Sequence, residues 1–348
     1  MFNIHERYMK RCLELAVNGR GNVAPNPMVG CVIVHNNIII GEGYHQKYGE
    51  AHAEVNAINS VKDKSLLKEA TAYVNLEPCS HFGKTPPCSD LLIKHNIKEV
   101  VIANVDINPL VANKGINKLK QAGINVISGI LEEEAYELNK RFFTFHKEKR
   151  PYIILKWAQT LDGFMDIERA YPGDNKQYWI TNDELKIIVH KWRSEEAAIM
   201  IGTNTALNDN PQLNVRLWKG NNPLRIILDE LLELPEHLYI FDNSVPTLIF
   251  NSSKDETEGN IVFKKLDFNN NIILQILDYL YTLNIQSVIV EGGRELLQSF
   301  INLGIWDEAR ILTGNKTFNK GLAAPDINGK IISKEVINND SITIMTKS

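Results

Sequence analysis

Three side chains of metal-ligating type are spaced through the first 88 residues of this 348-residue chain: His52 in His52-Ala53-Glu54, Cys79 after Glu77-Pro78, and Cys88 after Pro86-Pro87. One imidazole and two thiolates form a zinc donor set that leaves a fourth tetrahedral position open to water. Zinc there would bring the water's pKa toward neutrality and give hydroxide as the nucleophile. Glu54, a proton carrier and not a ligand, would take the water's proton, protonate a ring nitrogen and later protonate departing ammonia. This is the equipment of a hydrolytic deaminase. It makes two demands on the fold. Cys88 precedes the apolar run Leu91-Leu92-Ile93, so its thiolate should sit at the positive end of a helix. His52 and Glu54 do not share a helix face, so they converge only if the first turn of their helix points end-on into the site. The common deaminase signature has two residues between its cysteines, whereas here Ser80 to Pro87 intervene. That loop carries His81 and Lys84, a hydrogen-bonding ring and a compact charge suited to a phosphate or an electron-rich ring oxygen. Cys12 and Cys31 fall on a helix stripe and inside a strand, and read as packing.

The elements that must hold these residues follow from periodicity. Ile4, Tyr8, Met9, Cys12, Leu15 and Ala16 recur at helical spacing. Met28 to Val34 and Ile38 to Tyr44 are apolar runs joined by His35-Asn36-Asn37, whose asparagines tolerate the positive φ of a hairpin turn. Helices are predicted to start near His52, Cys88, Lys114 and Glu132, with strands at Ala72 to Leu76, Val100 to Val105 and Ile124 to Ile127. The order predicts a mixed sheet sandwiched by helices. The polar segment Phe145 to Pro151 is a candidate boundary, giving domains 1–147 and 148–348. Beyond it, strands are predicted at Tyr152 to Trp157, Ala197 to Ile201, Leu224 to Leu228, Thr247 to Phe250, Ser287 to Val290 and Ala309 to Leu312. Helices are predicted at Asn182 to Arg193, Asn271 to Leu283 and Arg294 to Leu303, so the second half is α/β as well. The polar stretch Asn251 to Asn260 reads as a surface loop.

Composition narrows the partners. With 44% hydrophobic and 23% charged residues the chain is ordinary globular material, and a formal net charge of −4 lacks the basic footprint of a nucleic-acid binder. The sequence shows neither a secretory leader pattern nor an apolar run of membrane-spanning length, so a cytoplasmic protein with no membrane partner is expected. Four cysteines make a poor disulfide framework, and a spaced His/Cys/Cys set in a reducing compartment is better read as a metal site.

Glu77 to Cys88, with Pro25-Asn26-Pro27-Met28-Val29-Gly30 and His52-Ala53-Glu54, resembles the bifunctional deaminase/reductase family of riboflavin biosynthesis. The second half carries blocks similar to the same family: Lys156 to Gly163, Trp179-Ile180-Thr181, Gly202 to Pro211 and Val290-Glu291-Gly292-Gly293. The resemblance implies a cytidine-deaminase-like α/β/α first domain and a dihydrofolate-reductase-like α/β second domain. The first would deaminate 2,5-diamino-6-ribosylamino-4(3H)-pyrimidinone 5′-phosphate using Zn2+. The second would use NADPH to reduce the ribosyl side chain to ribityl. It further implies that Asn26, His45, His81 and Lys84 hold the deaminase substrate, and that Lys156, Gln177, Arg193, Leu213, Arg216 and Glu291 hold the reductase substrate. Ala158, Trp179, Thr205, Asp209 and Gly293 would meet NADPH, and a homo-oligomer acting on small phosphorylated pyrimidines is expected.

The residue chemistry accords with those assignments. Strand Val288-Ile289-Val290 leads through Glu291-Gly292-Gly293 into a helical run, and glycines there let backbone N–H groups approach a phosphate. Arg193 and Arg216 can each grip a phosphate bidentately, while Lys156 and Glu291 are candidates for polarising the sugar and handling its proton. Two departures from the family pattern stand out. Glu168 to Gln177 lengthens a usually short Ser/Gly-rich stretch and puts Gln177 where a serine is common. Asn113-Lys114-Gly115 replaces a familiar Gly-x-Gly. The rival hypothesis, a tRNA-type base deaminase with a non-catalytic C-terminal binding domain, needs a basic, aromatic groove that the acidic balance disfavours.

Overall fold

The computed structural model describes residues 3–82, 86–107, 112–169 and 178–347. The chain divides into two compact units, Met1–Lys149 and Arg150–Ser348.

The first unit runs α1 (Ile4–Ala16), β1 (Gly30–His35), β2 (Ile38–Tyr44), α2 (Ala53–Ser60), β3 (Thr71–Leu76) and α3 (Cys88–Lys94). It continues with β4 (Glu99–Asn104), α4 (Lys114–Gln121), β5 (Asn125–Ser128), α5 (Glu132–Leu138) and α6 (Lys140–Glu148). Its sheet has the order β2-β1-β3-β4-β5, antiparallel across β2-β1-β3 and parallel across β3-β4-β5. The two faces follow from strand alternation, because successive side chains point to opposite sides. Cys31, Ile33, Ala72, Val74, Val100 and Ile102 pack beneath Ala57, Leu92 and Leu119 of α2, α3 and α4. Val32, Val34, Tyr73, Val101 and Ala103 face Tyr8, Met9 and Cys12 of α1 and Ala135 of α5. The expected helix-covered mixed sheet is therefore present, and the hairpin turns through Asn36 (φ 48°) and Asn37 (φ 60°). Helix α1 opens on a capping box, Asn3 with Glu6. Phe145 to Glu148, read from sequence as part of a polar connector, belongs to α6. Its Phe142, Phe143 and Phe145 are buried, and the charged run Lys147-Glu148-Lys149 disguised that apolar face.

The second unit runs β6 (Tyr152–Thr160), β7 (Phe164–Asp166), α7 (Asp183–Glu195), β8 (Ala198–Gly202), α8 (Thr203–Asp209), β9 (Leu224–Leu228), β10 (Thr247–Asn251), β11 (Glu256–Glu258) and β12 (Ile261–Lys265). There follow α9 (Ile272–Thr282), β13 (Ser287–Gly292), α10 (Arg294–Asn302), β14 (Glu308–Gly314), β15 (Leu322–Ala323), β16 (Lys330–Ile337) and β17 (Asp340–Thr346). Ten strands form one sheet, β11-β12-β10-β9-β8-β13-β6-β14-β17-β16, parallel from β12 to β14 and antiparallel at both ends. Ile276, Leu280, Leu297 and Phe300 of α9 and α10 cover one face, and Leu185 and Val189 of α7 pack on Leu312 and Ile342 on another part of the sheet. Strand β13 enters between β8 and β6, and in open parallel sheets the crevice beyond the carboxyl ends of such strands is where ligands bind. Part of the expected 251–260 loop is strand β11, three exposed residues too polar to announce pairing. The final hairpin β16-β17 also went unpredicted, since β16 is almost wholly exposed and has no buried face to generate a pattern. Among the described residues no helix is long and apolar enough to cross a membrane.

Candidate functional sites

In the first unit the three proposed ligands meet. His52 is the N-cap of α2, in extended conformation, and so stands off the helix face that carries Glu54 two residues later in the first turn. That geometry meets the end-on demand. Cys88 is the first residue of α3 and Cys79 lies in the loop after β3. The His52 Nδ1 atom is 3.4 Å from Cys88 Sγ and 3.6 Å from Cys79 Sγ, and all three ligand atoms lie within 4.8 Å of one another. Tetrahedral zinc with Zn–S of about 2.3 Å and Zn–N of about 2.05 Å would set nitrogen and sulfur about 3.6 Å apart. All four cysteines are free, so the two sulfurs are available as donors, and the set fits zinc. The Cys88 backbone N–H donates to Cys79 Sγ at 3.3 Å. Hydrogen bonding from Cys88 outweighs burial and, with His52, holds the Cys79 thiol well below its ordinary range, while the bond to Cys79 and burial push Cys88 well up. Glu54 is buried, and burial with the Cys79 charge lifts its carboxyl to about 6.

Beside this cluster His45 stacks edge-on to His52, ring centroids 5.4 Å apart. Its Nδ1–H donates to the Ala51 carbonyl at 3.1 Å, which leaves Nε2 to accept from the Asn26 amide at 3.1 Å. Burial lowers the His45 pKa, consistent with a neutral ring in that tautomer. His81 is exposed, and Lys84 lies outside the described residues.

In the second unit a cleft of ≈ 1230 Å³ opens at the carboxyl ends of β8 and β13. Lys156, Ala158, Trp179, Arg193, Thr205, Asp209, Leu213, Arg216, Glu291 and Gly293, all singled out in the sequence, line it. Gln177 lies outside the described residues. The Arg193 guanidinium holds Glu291 through two bonds of 2.8 Å, and Lys156 Nζ donates to the same carboxylate at 3.2 Å. Burial would raise the Glu291 pKa, but Arg193 and Lys156 outweigh it and keep the carboxylate well below its ordinary range. Burial lowers Lys156, with Glu291 opposing. Arg193 is thus engaged by Glu291, whereas the exposed Arg216 bonds the Asn214 side chain at 2.9 Å. Thr205 Oγ1 packs against the Gly292-Gly293 turn, where an added Cβ would come within 3.4 and 3.2 Å, and Gly292 holds a φ of 138° that suits only glycine. Half-exposed Trp179 is covered by Lys186 Nζ at 3.9 Å from its ring. This size and this glycine turn at the head of α10 fit a dinucleotide beside a substrate.

Two cleft residues escaped the sequence reading. His190 accepts the Arg216 backbone N–H at 3.3 Å, and burial with Arg193 and Arg216 lowers it to about 4. Its i, i+3 spacing to Arg193 on α7 was the available signal. Arg169 bonds Asp166 at 2.5 Å and Asp209 at 3.1 Å; burial lifts Asp209 to about 6 against the pull of Arg169. No local pattern marked that cation.

Residues 151–321 match the family model of the RibD C-terminal domain, and residues 2–104 match that of the cytidine and deoxycytidylate deaminase zinc-binding region. The riboflavin biosynthesis protein RibD of Aquifex aeolicus is 41% identical over 341 residues, covering 96% of this chain and 93% of its own. That of Bacillus amyloliquefaciens is 43% identical over 314 residues, covering 88% and 83%. Among solved structures, the Thermotoga maritima diaminohydroxyphosphoribosylaminopyrimidine deaminase/5-amino-6-(5-phosphoribosylamino)uracil reductase superposes with a TM-score of 0.90 at 38% identity, covering 99% of both chains. Acinetobacter baumannii RibD (form 1) gives 0.90 at 31% identity, again with 99% of both chains covered.

Proposed function

We infer that this chain, which belongs to the RibD family of riboflavin biosynthesis proteins, runs two successive reactions with one site in each unit. It is a bifunctional deaminase and reductase, and a small-molecule enzyme. The observation that carries the first assignment is the meeting of His52 Nδ1 with two free sulfurs beside buried Glu54.

His52, Cys79 and Cys88 would hold zinc, which when bound supplies Lewis acidity and lowers the pKa of a water. Glu54 takes one proton from the attacking water to a ring nitrogen of the diaminopyrimidine, then takes the second from the hydroxyl added at the ring carbon and passes it to the amino group, which leaves as ammonia. The neutral His45, fixed by Ala51, holds the Asn26 amide so that its remaining hydrogen-bonding groups meet the ring, and His81 and Lys84 serve the same substrate. The substrate is 2,5-diamino-6-ribosylamino-4(3H)-pyrimidinone 5′-phosphate. We place the enzyme in the cytoplasm, where the thiols of a metal site stay reduced.

In the second unit Ala158, Trp179, Thr205, Asp209 and Gly293 would hold NADPH, whose chemistry is hydride donation. The pairing of Glu291 divides the remaining work. Held ionised by two cations, Glu291 can only accept hydrogen bonds, so it orients Lys156 and does not donate a proton. Lys156, its pKa lowered, donates the proton to the sugar oxygen. Because Arg193 is occupied by Glu291, Arg216 is the better phosphate ligand, with Leu213 shaping the wall and Gln177 a further candidate for the same substrate.

The test is to assay both steps in one preparation. Zinc analysis should give one ion per chain, lost in Cys79→Ser, and NADPH should be consumed when the deaminated ribosylaminopyrimidine is supplied. Undiminished zinc in Cys79→Ser would refute the ligand set, and unchanged nicotinamide absorbance would refute the reductase.

A further inference from the structure

Glu77 precedes the metal loop and takes no part in the chemistry above, yet it is 4% exposed and its carboxylate accepts four backbone N–H groups. Oε1 takes those of Gly115 (2.9 Å) and Ile116 (3.2 Å); Oε2 takes those of Asn113 (3.0 Å) and Asp106 (3.2 Å). Asn113, Gly115 and Ile116 supply the orphan donors at the start of α4, and Asn113, in the left-handed region, makes no side-chain cap of its own. The cap comes instead from a carboxylate 36 to 39 residues earlier, where the helix dipole favours negative charge. Gly115 closes the clamp from the other side: a Cβ there would fall 2.0 Å from the Pro78 carbonyl oxygen. Pro78 is thus pinned between Glu77 and the first turn of α4, and the next residue is Cys79. From Cys79 the path continues into α3, since the Cys79 carbonyl accepts the Ser89 N–H at 3.1 Å and Lys118 of α4 pairs with Asp90 of α3 at 2.5 Å.

We propose that Glu77 is a positioning residue of the deaminase metal site: by capping α4 across the Pro78 turn it fixes where the Cys79 sulfur stands relative to His52 and Cys88. This rests on those three residues being zinc ligands. In Glu77→Gln one carboxylate oxygen becomes an amide NH2, which sets a donor against two N–H donors and frees the turn.

Zinc affinity, read by competition with a chromophoric chelator, should fall roughly 10- to 100-fold in Glu77→Gln, the range for residues that support a ligand from behind. The Co2+-substituted variant should also show an altered cobalt–thiolate band. NADPH oxidation by the second unit reports the amount of chain present, and the first unit's own thermal transition reports whether it is folded. A wild-type protein that takes up no zinc would strike the ligand assignment itself. Wild-type zinc uptake with unchanged affinity and cobalt spectrum in Glu77→Gln would overturn the role of Glu77, since a merely structural carboxylate lowers the unfolding temperature and leaves the spectrum alone. Should the variant leave the first unit unfolded, the wild-type protein decides by reciprocity. Stripping zinc should then speed hydrogen exchange at the Asn113, Gly115 and Ile116 amides at least about tenfold relative to α1 amides, and equal protection in both states overturns the proposal.

Discussion

Glu291→Gln tests the electrostatic core of the reductase cleft. The Glu291 side chain is 7% exposed, between Arg193 at 12% and Lys156 at 13%, so three charges meet where water screens little. The substitution keeps the shape and removes the one negative charge. Two bonds of 2.8 Å and one of 3.2 Å lose their ionic partner, and breaking a buried pair in this way costs about 3–5 kcal/mol. Lys156 can relieve its share by releasing a proton, but Arg193 cannot, which places the expectation toward the lower end, about 3 kcal/mol. For a unit of this size that is a fall of roughly 6–12 °C in the second unit's thermal transition, identifiable in calorimetry as the transition that NADPH raises. NADPH oxidation should fall with it, because Lys156 loses the group that aims it. The pH dependence has a definite sign. The folded pKa of Glu291 is depressed, so its contribution is complete above the unfolded value near 4.3 and is lost as pH falls toward the folded value. The gap between wild type and variant should therefore narrow on acidification below about pH 4. A shift under 2 °C at pH 7, or a gap that widens in acid, would refute the reasoning.

Glu54→Gln should keep its zinc, lose deamination by about 10²–10⁴-fold and retain NADPH oxidation; zinc missing from the folded variant would mean that Glu54 is a ligand. Gly30→Ala would put a Cβ 2.1 Å from the Cys12 carbonyl oxygen, where α1 lies on β1, and should cost about 2 kcal/mol, or roughly 5 °C in the first unit's transition; an unchanged transition would show that the helix can shift freely. The His190 ring should titrate near 4 by NMR, with Glu291→Gln lowering it further. Because its folded pKa is depressed, stability should decline as pH falls from about 6.5 toward 4, and a midpoint at the ordinary histidine value would contradict its burial beside two arginines.

Much of the chemistry was legible in the residues because it depends on side-chain identity. A histidine and two proline-framed cysteines have few uses in a reducing setting other than a metal, and Glu54 stands too near His52 to be incidental. The buried strands were legible for a related reason, since an apolar run such as Val288-Ile289-Val290 has nowhere to go but a sheet interior. Elements without that signature were missed: exposed β16, three-residue β11, and α6, whose aromatic face is masked by charged neighbours.

Only the tertiary structure decided who pairs with whom. From its type alone Arg193 could grip a phosphate, and only folding brought it, across 98 positions, onto Glu291. Nothing local gave Glu77 a role, yet its four partners come from a loop and helix start 29 to 39 residues later. A sequence records what a side chain can do. Which of those capacities is spent on a neighbour and which is left for a substrate depends on contacts between distant segments, and a carboxylate or guanidinium carries no local mark of its eventual partner.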